Sequence, residues 1–379
     1  MRTKKWLALA LAVALVCTGL AACGGGNEPA PAPEPAPAPA APADDAPAPA
    51  APVEGPLYIS VVSKGFQHAF WQAVKAGSDQ AAADFGVEAF FTGPEGESAI
   101  ADQVNMINAE LAKNPAALAL AALDTSSVLT QLQDAFDRGI PVIGFDSGVP
   151  EAPAGQIAAN ASTNNDAAAA LGAEYLFEAL KDKISAATVE APAVISVLSQ
   201  DVTSASITGR TRGFAVKMAE LAGGVNSNGV AITGGFAAIN TGDAASSAVV
   251  IDVVVGATPD ITDMTNAANG LFNTKNLAGV FCSNEGAVNG LLAALNAGTQ
   301  VPDGVLLVGF DAGAAQKGAV KQGVFIGSIT QDPYQIGYQA VRLCYDAATG
   351  NPVSDVDTGA KWYDASNIDD PDIALLVYD

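Results

Sequence analysis

The sequence predicts an α/β protein whose parallel strands are gathered into two lobes, and three observations carry that expectation. Short apolar runs alternate with helical stripes from Leu57 to Ala348, the pattern of right-handed βαβ units. One strand-end pattern is used twice: Ile140-Pro141-Val142-Ile143-Gly144-Phe145-Asp146-Ser147-Gly148 returns as Leu306-Leu307-Val308-Gly309-Phe310-Asp311-Ala312-Gly313. Two equivalent strand ends suit a protein in which two lobes face a cleft. The chain has 379 residues, half of them hydrophobic, enough for two ordinary α/β domains.

In chain order, Arg2 to Lys5 are basic, Trp6 to Leu20 are mostly apolar, and Leu20-Ala21-Ala22-Cys23 follows. A run of this length ending in small residues is a secretory signal rather than a membrane span. It resembles the bacterial lipoprotein signal. That resemblance implies that residues 1–22 are removed and that Cys23 is acylated, its diacylglycerol holding the chain to the outer face of the cell membrane. Residues 23–56 then form a tether: Glu28 to Pro56 is a Pro-Ala tract containing 11 of the 22 prolines, which builds no core and extends as a semi-rigid spacer.

Beyond Pro56 the alternation is regular. Strands are expected at Leu57–Ser63, Val87–Thr92, Ala117–Leu123 and Ile140–Phe145, with helices at Phe70–Phe85, Ile100–Leu111 and Val128–Phe136; Gly86 and Gly139 supply helix stops. The second half repeats the scheme with strands at Ala193–Leu198, Val249–Val255, Leu277–Cys282, Val305–Phe310 and Gly323–Thr330. Its helices fall at Asp166–Leu180, Arg210–Leu221, Ile261–Phe272, Gly286–Ala297 and Tyr334–Ala348. A Gly-, Asn- and Ser-rich stretch over 222–247 carries one short apolar run, Val230–Thr233, and the acidic tail from Gly350 is irregular apart from Ile373–Tyr378.

Composition excludes several functions. A formal net charge of −23 repels phosphate backbones, so no nucleic-acid partner is expected. Of four cysteines, Cys17 and Cys23 lie in the targeting region. Cys282 and Cys344 lack metal-ligand spacing and read as buried thiols, with a single disulfide between them left open. His68 is the only histidine. A second-histidine metal site is therefore excluded, and a surface hydrolase would have to work through His68 without any G-x-S-x-G elbow. No catalytic residue, metal or cofactor is expected.

Parallel strands open at their carboxyl ends, where ligands bind in open α/β sheets. Asp146 and Asp311 stand at two such ends. Taken singly, each is equally well explained as the cap of the next turn. Val61 to Trp71 crowds polar and aromatic groups into a strand-to-helix junction. Phe70 is either a core residue or a stacking face. Trp71, its immediate neighbour on the helix, is not expected to enter the same core, and the pair suits the apolar face of a sugar ring. Gln67 and His68 can hydrogen-bond hydroxyls. Arg210 is either a helix-surface charge or a donor to the ligand, and Asn284 and Gln331 follow strand ends with side chains that both donate and accept.

The order of these features is quite specific. The Phe-Trp junction, the paired Gly-Phe-Asp ends, Arg210-Thr211-Arg212-Gly213-Phe214, Ser283-Asn284-Glu285 and Thr330-Gln331-Asp332-Pro333-Tyr334-Gln335-Ile336-Gly337 together resemble the ribose-binding-protein family, the sugar receptors of bacterial ABC importers. The resemblance covers about residues 57–350. It implies a type I periplasmic binding protein fold: two Rossmann-like parallel-sheet lobes joined by a three-strand hinge, closing on a sugar. The N-terminal lobe would comprise 57–161 plus about 332–355, and the C-terminal lobe 162–331 plus about 356–379. It also implies ligand contacts from His68, Phe70, Trp71, Asp146, Arg210, Asn284, Asp311 and Gln331. Where relatives carry Asn-Pro after the third strand, this chain has Ala121-Ala122-Leu123-Asp124, so Asp124 either replaces that contact or the contact is lost.

The resulting expectation is a lipid-anchored, monomeric substrate-binding protein that captures a pentose or hexose and delivers it to an ABC permease with its ATPase. A receptor for another neutral polyol, such as a nucleoside, a cyclitol or a furanose signal, is the alternative.

Overall fold

The computed structural model describes residues 55–66 and 68–378. The signal segment, Cys23, most of the tether and Gln67 lie outside the described residues. The first sheet begins with β1 (Tyr58–Val62), β2 (Glu88–Thr92), β3 (Ala117–Leu120), β4 (Val142–Phe145) and β5 (Ala159–Ser162), alternating with α1 (Ala69–Phe85), α2 (Ile100–Ala112) and α3 (Leu129–Asp137). The chain then builds a second unit from α4 (Asn165–Ser185), β6 (Ala193–Ser199), α5 (Ala205–Val225), β7 (Val230–Gly234), β8 (Val249–Val255), α6 (Ile261–Leu271), β9 (Leu277–Cys282), α7 (Glu285–Asn296), β10 (Leu306–Phe310), α8 (Ala314–Lys321) and β11 (Gly327–Gln331). It returns to the first sheet with α9 (Pro333–Ala348) and β12 (Val356–Asp357), and ends beside the second with β13 (Ala360–Tyr363) and α10 (Pro371–Ala374).

The first sheet runs β12-β5-β4-β3-β1-β2 and the second β13-β11-β10-β9-β6-β8-β7. All pairs are parallel except β11 with β13. Three passages therefore join the sheets, after β5, after β11 and between β12 and β13. The last falls at Thr358-Gly359, slightly later than the expected division near residue 355, because Val356 pairs with Ala161 on β5.

Each sheet is covered on both faces, which is why its strands read as continuous apolar runs. On β1 the alternation of side chains sends Val61 toward α1 and α9 and Val62 toward α2 and α3. On the second sheet Val197 and Phe281 face α4 and α5, while Leu198 and Val280 face α6 and α7. Where α1 crosses α9 the contact is backbone on backbone: a Cβ on Gly77 would strike the Tyr334 carbonyl, and one on Gly337 the Val74 carbonyl.

Several elements differ from expectation. β5, with sequence Ala-Asn-Ala-Ser, has no apolar run to announce it and is a strand because β4 and β12 flank it. The helix holding Arg210 starts earlier, at Ala205, so Arg210 sits in its second turn. The unplaced 222–247 stretch supplies the end of α5, the edge strand β7 and two single 3₁₀ turns. Cys282 and Cys344 are free and buried in separate cores, and burial pushes both thiols far above their ordinary range.

Candidate functional site

Asp146 and Asp311 leave β4 and β10 with φ of 51° and 76°, a left-handed conformation that short polar residues tolerate better than other non-glycine residues. Each is locked by the neighbouring strand in the same way. The Asp146 amide donates to Ala161 O (3.0 Å) and its carbonyl accepts from Ser162 Oγ (2.7 Å). The Asp311 amide donates to Ile329 O (2.7 Å) and its carbonyl accepts from Ser328 Oγ (3.1 Å). This turn aims both carboxylates into one cavity between the lobes, where each residue is 4% exposed.

Arg210 lies between them. Its Nη2 is 3.7 Å from Asp146 and its Nη1 3.7 Å from Asp311. Nε donates to Asn165 Oδ1 (2.7 Å), and the guanidinium carbon lies 4.0 Å over the Phe310 ring. A buried charge held by hydrogen bonds, an aromatic face and two carboxylates is an organised donor, not the surface charge that its helix position alone allows.

The carboxylates differ in what else holds them. Asp311 accepts from Gln331 Nε2 (2.7 Å) and from the Glu285 amide (2.9 Å). Asp146 is pushed up to about 6: burial dominates, with Lys64 and Arg210 acting against it and Asp311 and Glu97 adding to it.

A second polar group closes the other side. Glu97, in the loop after β2, accepts from Trp71 Nε1 (2.8 Å) in its own lobe and from Gln200 Nε2 (2.7 Å) in the opposite one. Burial pushes this carboxyl up, but Lys64 at 3.6 Å, His68 at 3.9 Å and those two hydrogen bonds outweigh it and hold the group down at about 2. Gln200 in turn accepts from Asn284 Nδ2 (2.7 Å), whose Oδ1 caps α7 through the Ala287 amide. Lys64 Nζ also reaches Ser206 Oγ across the cleft (3.5 Å).

The space between these side chains is close to the room that one water needs. The lobes are closed upon it. At the rim Thr125 N donates to Thr203 O (3.1 Å), Thr203 Oγ1 to Leu123 O (3.2 Å) and Ser98 Oγ to Asp260 Oδ1 (2.9 Å).

Of the residues expected at the site, the structure brings His68, Phe70, Trp71, Asp146, Arg210, Asn284, Asp311 and Gln331 to this cavity. Asp124 is elsewhere: its Oδ1 accepts from the amides and hydroxyls of Ser126 and Ser127, which makes it the cap of a tight turn. The expectation that Phe70 and Trp71 cannot share a core is also corrected. Their rings meet edge to face with centroids 5.0 Å apart, and both belong to one buried cluster while edging the cavity. Lys64, Glu97, Ser206 and Glu285 line the cavity as well and were not singled out. Lys64 stands in the crowded junction after β1, a usable signal; Glu97, in Gly-Pro-Glu-Gly-Glu, looks like any solvated loop acid.

A family model described as "Periplasmic binding protein domain" matches residues 59–352. The D-allose-binding periplasmic protein of Escherichia coli (strain K12) is 24% identical over 311 residues, 80% of this chain and 88% of that one. Among solved structures, one titled "ABC transporter, LacI family transcriptional regulator from Brachyspira murdochii" is 41% identical with a TM-score of 0.71, covering 86% of this chain and 99% of the other. An ABC transporter solute binding protein from Agrobacterium vitis with bound D-fucose is 26% identical with a TM-score of 0.69, covering 85% and 100%.

Proposed function

The chain belongs to the periplasmic binding protein domain family, and from that premise we propose that it captures a monosaccharide between its lobes and presents it to an ABC permease. The observation that carries this reading is the Arg210 guanidinium held between Asp146 of one lobe and Asp311 of the other, at 3.7 Å from each. Ring hydroxyls entering that gap donate to the carboxylates and accept from the guanidinium, all in a water-poor site that strengthens charge-assisted bonds. Phe70 and Trp71 offer apolar edges to the ring. Relatives with bound D-fucose and with D-allose in the name support a sugar of this size.

Closure follows from the same geometry. Ligand contacts with both lobes favour the closed form, as in periplasmic binding proteins generally. His68, at the start of α1 and 3.9 Å from Glu97, belongs to the polar wall, and we assign the protein no catalytic step. Cys23 is the proposed acylation site, placing the receptor on the outer face of the membrane as a monomer with both lobe tips free for the permease. Among the described residues no helix is long and apolar enough to cross a membrane.

The test is a thermal-shift screen against pentoses and hexoses. A ligand at 100 times its Kd adds about 2.7 kcal/mol to stability. A sugar that raises Tm in the wild type but not in Arg210→Ala supports the reading; no response to any carbohydrate sinks it.

A further inference from the structure

Asp311 has a neighbour of its own sign that the capture reading does not use. Glu285 opens α7, lines the cavity and is 7% exposed, so it is more than nine-tenths buried, yet among the described residues its Oε2 has no hydrogen-bond partner. On the other side of Asp311, Gln331 donates Nε2 to that carboxylate while its own Oε1 also lacks a donor. Two residues that hydrogen-bond to Asp311 thus each carry a buried acceptor without a donor among the described residues. Leaving such groups unsatisfied is costly, and more so for a charge.

The cations in the cavity are already engaged. Arg210 bridges Asp146 and Asp311, and Lys64 lies against Glu97. Among the described residues the cavity's ion pairs end on those three carboxylates, and none reaches Glu285. Burial pushes its carboxyl up to about 7, with Asp311 adding to the effect and the Phe70 and Ala69 amides at the start of α1 opposing it.

We propose that the captured sugar carries a free amino group, whose ammonium sits among Glu285 Oε2, Gln331 Oε1 and the Asp311 carboxylate. A hydroxyl donates one hydrogen and can satisfy only one of these acceptors, whereas an ammonium donates three and also neutralises the unpaired carboxylate. This inference rests on the sugar-capture reading and narrows it to amino-deoxy sugars.

The test uses the whole protein and compares, by isothermal titration calorimetry, D-glucosamine, D-galactosamine and D-mannosamine with their parent hexoses and N-acetyl derivatives, and amino-pentoses with theirs. At least one amine should bind about tenfold or more tighter than both its parent and its N-acetyl form. Glu285→Gln should bring that ratio to about one. A second readout needs no variant: at pH 7 the binding heat of the preferred amine should change with the ionisation enthalpy of the buffer, because an arriving ammonium expels the proton that Glu285 partly holds. If parent sugars bind as tightly as every amine, the amino-sugar assignment falls and sugar capture stands. Absence of binding by all of these carbohydrates overturns both.

Discussion

Asp146 and Asp311 occupy the same place in two copies of one strand end. Both are left-handed, both hang their amide on the adjacent strand, and both offer their carbonyl to a serine from that strand. Their carboxylates nevertheless live differently. Asp311 is held by Gln331 and the Glu285 amide, whereas Asp146 is governed by burial and pushed up to about 6. A repeated backbone thus yields one carboxylate held in place by hydrogen bonds and one whose charge is set by burial, opposed by Lys64 and Arg210. The strand end determines where a carboxylate points, and its neighbours determine whether it stays ionised.

The largest test of this contrast is Asp311→Ala. It strips a partner from Arg210, Gln331 and the Glu285 amide together, and charge-assisted hydrogen bonds contribute about 1.5–3 kcal/mol each. Calorimetry with the sugar found by screening should show binding weakened by about a thousandfold or more. Asp146→Asn should weaken it less, by roughly 10- to 100-fold, since an amide still accepts one hydrogen bond and a desolvated charge is removed. A greater loss at Asp146 than at Asp311 would break the comparison.

A third test sharpens it through pH. The Asp146 carboxyl is raised in the folded state from 3.8 to about 6. Its contribution to stability is complete below about pH 4 and is lost as pH rises through 6, on the order of 3 kcal/mol in all. Glu97 is lowered from 4.5 to about 2 and works in the other direction: its contribution is present above pH 4.5 and lost as pH falls toward 2. In denaturant titrations of the ligand-free protein, Asp146→Asn should flatten the decline in stability between pH 4 and 7. Glu97→Gln should flatten the rise below pH 4.5. The smallest effect is expected from Asp124→Ala, which should leave the sugar Kd unchanged and cost under about 1 kcal/mol, the ordinary loss of an exposed turn cap.

What the sequence made legible was whatever a local pattern could carry. Asp146 and Asp311 announce themselves because a glycine and a phenylalanine end an apolar run just before them, and the copy in the second half repeats the announcement. Asn284 and Gln331 are legible as side chains that donate and accept after strand ends, whereas Arg210, equally readable as a surface charge, gains its role from the family resemblance. Glu97 carries no such signal. It is buried because Trp71 and the opposite lobe's Gln200 donate to it, contacts between segments far apart in the chain. β5 and α8 escaped for a related reason, since small or polar residues become regular structure only when flanking elements supply the register. At Asp124 the departure from the relatives' Asn-Pro allows either a substitute contact or its loss, and Ser126 and Ser127, two and three residues on, take its carboxylate into a local cap.

The passages between the sheets also set a timetable for folding. α9 lays Ile336, Ala340, Val341, Leu343 and Cys344 against a face of the first sheet that includes Ile59, Val61, Ile143 and Phe145. It is synthesised only after β11, when nearly all of the second lobe has already been made. At about 5–20 residues per second the ribosome needs on the order of ten seconds or more to cover that distance. During that interval the first lobe lacks one of its walls. Gly77 and Gly337, which let the late helix seat against the early one, are therefore the residues on which completion of the first lobe depends.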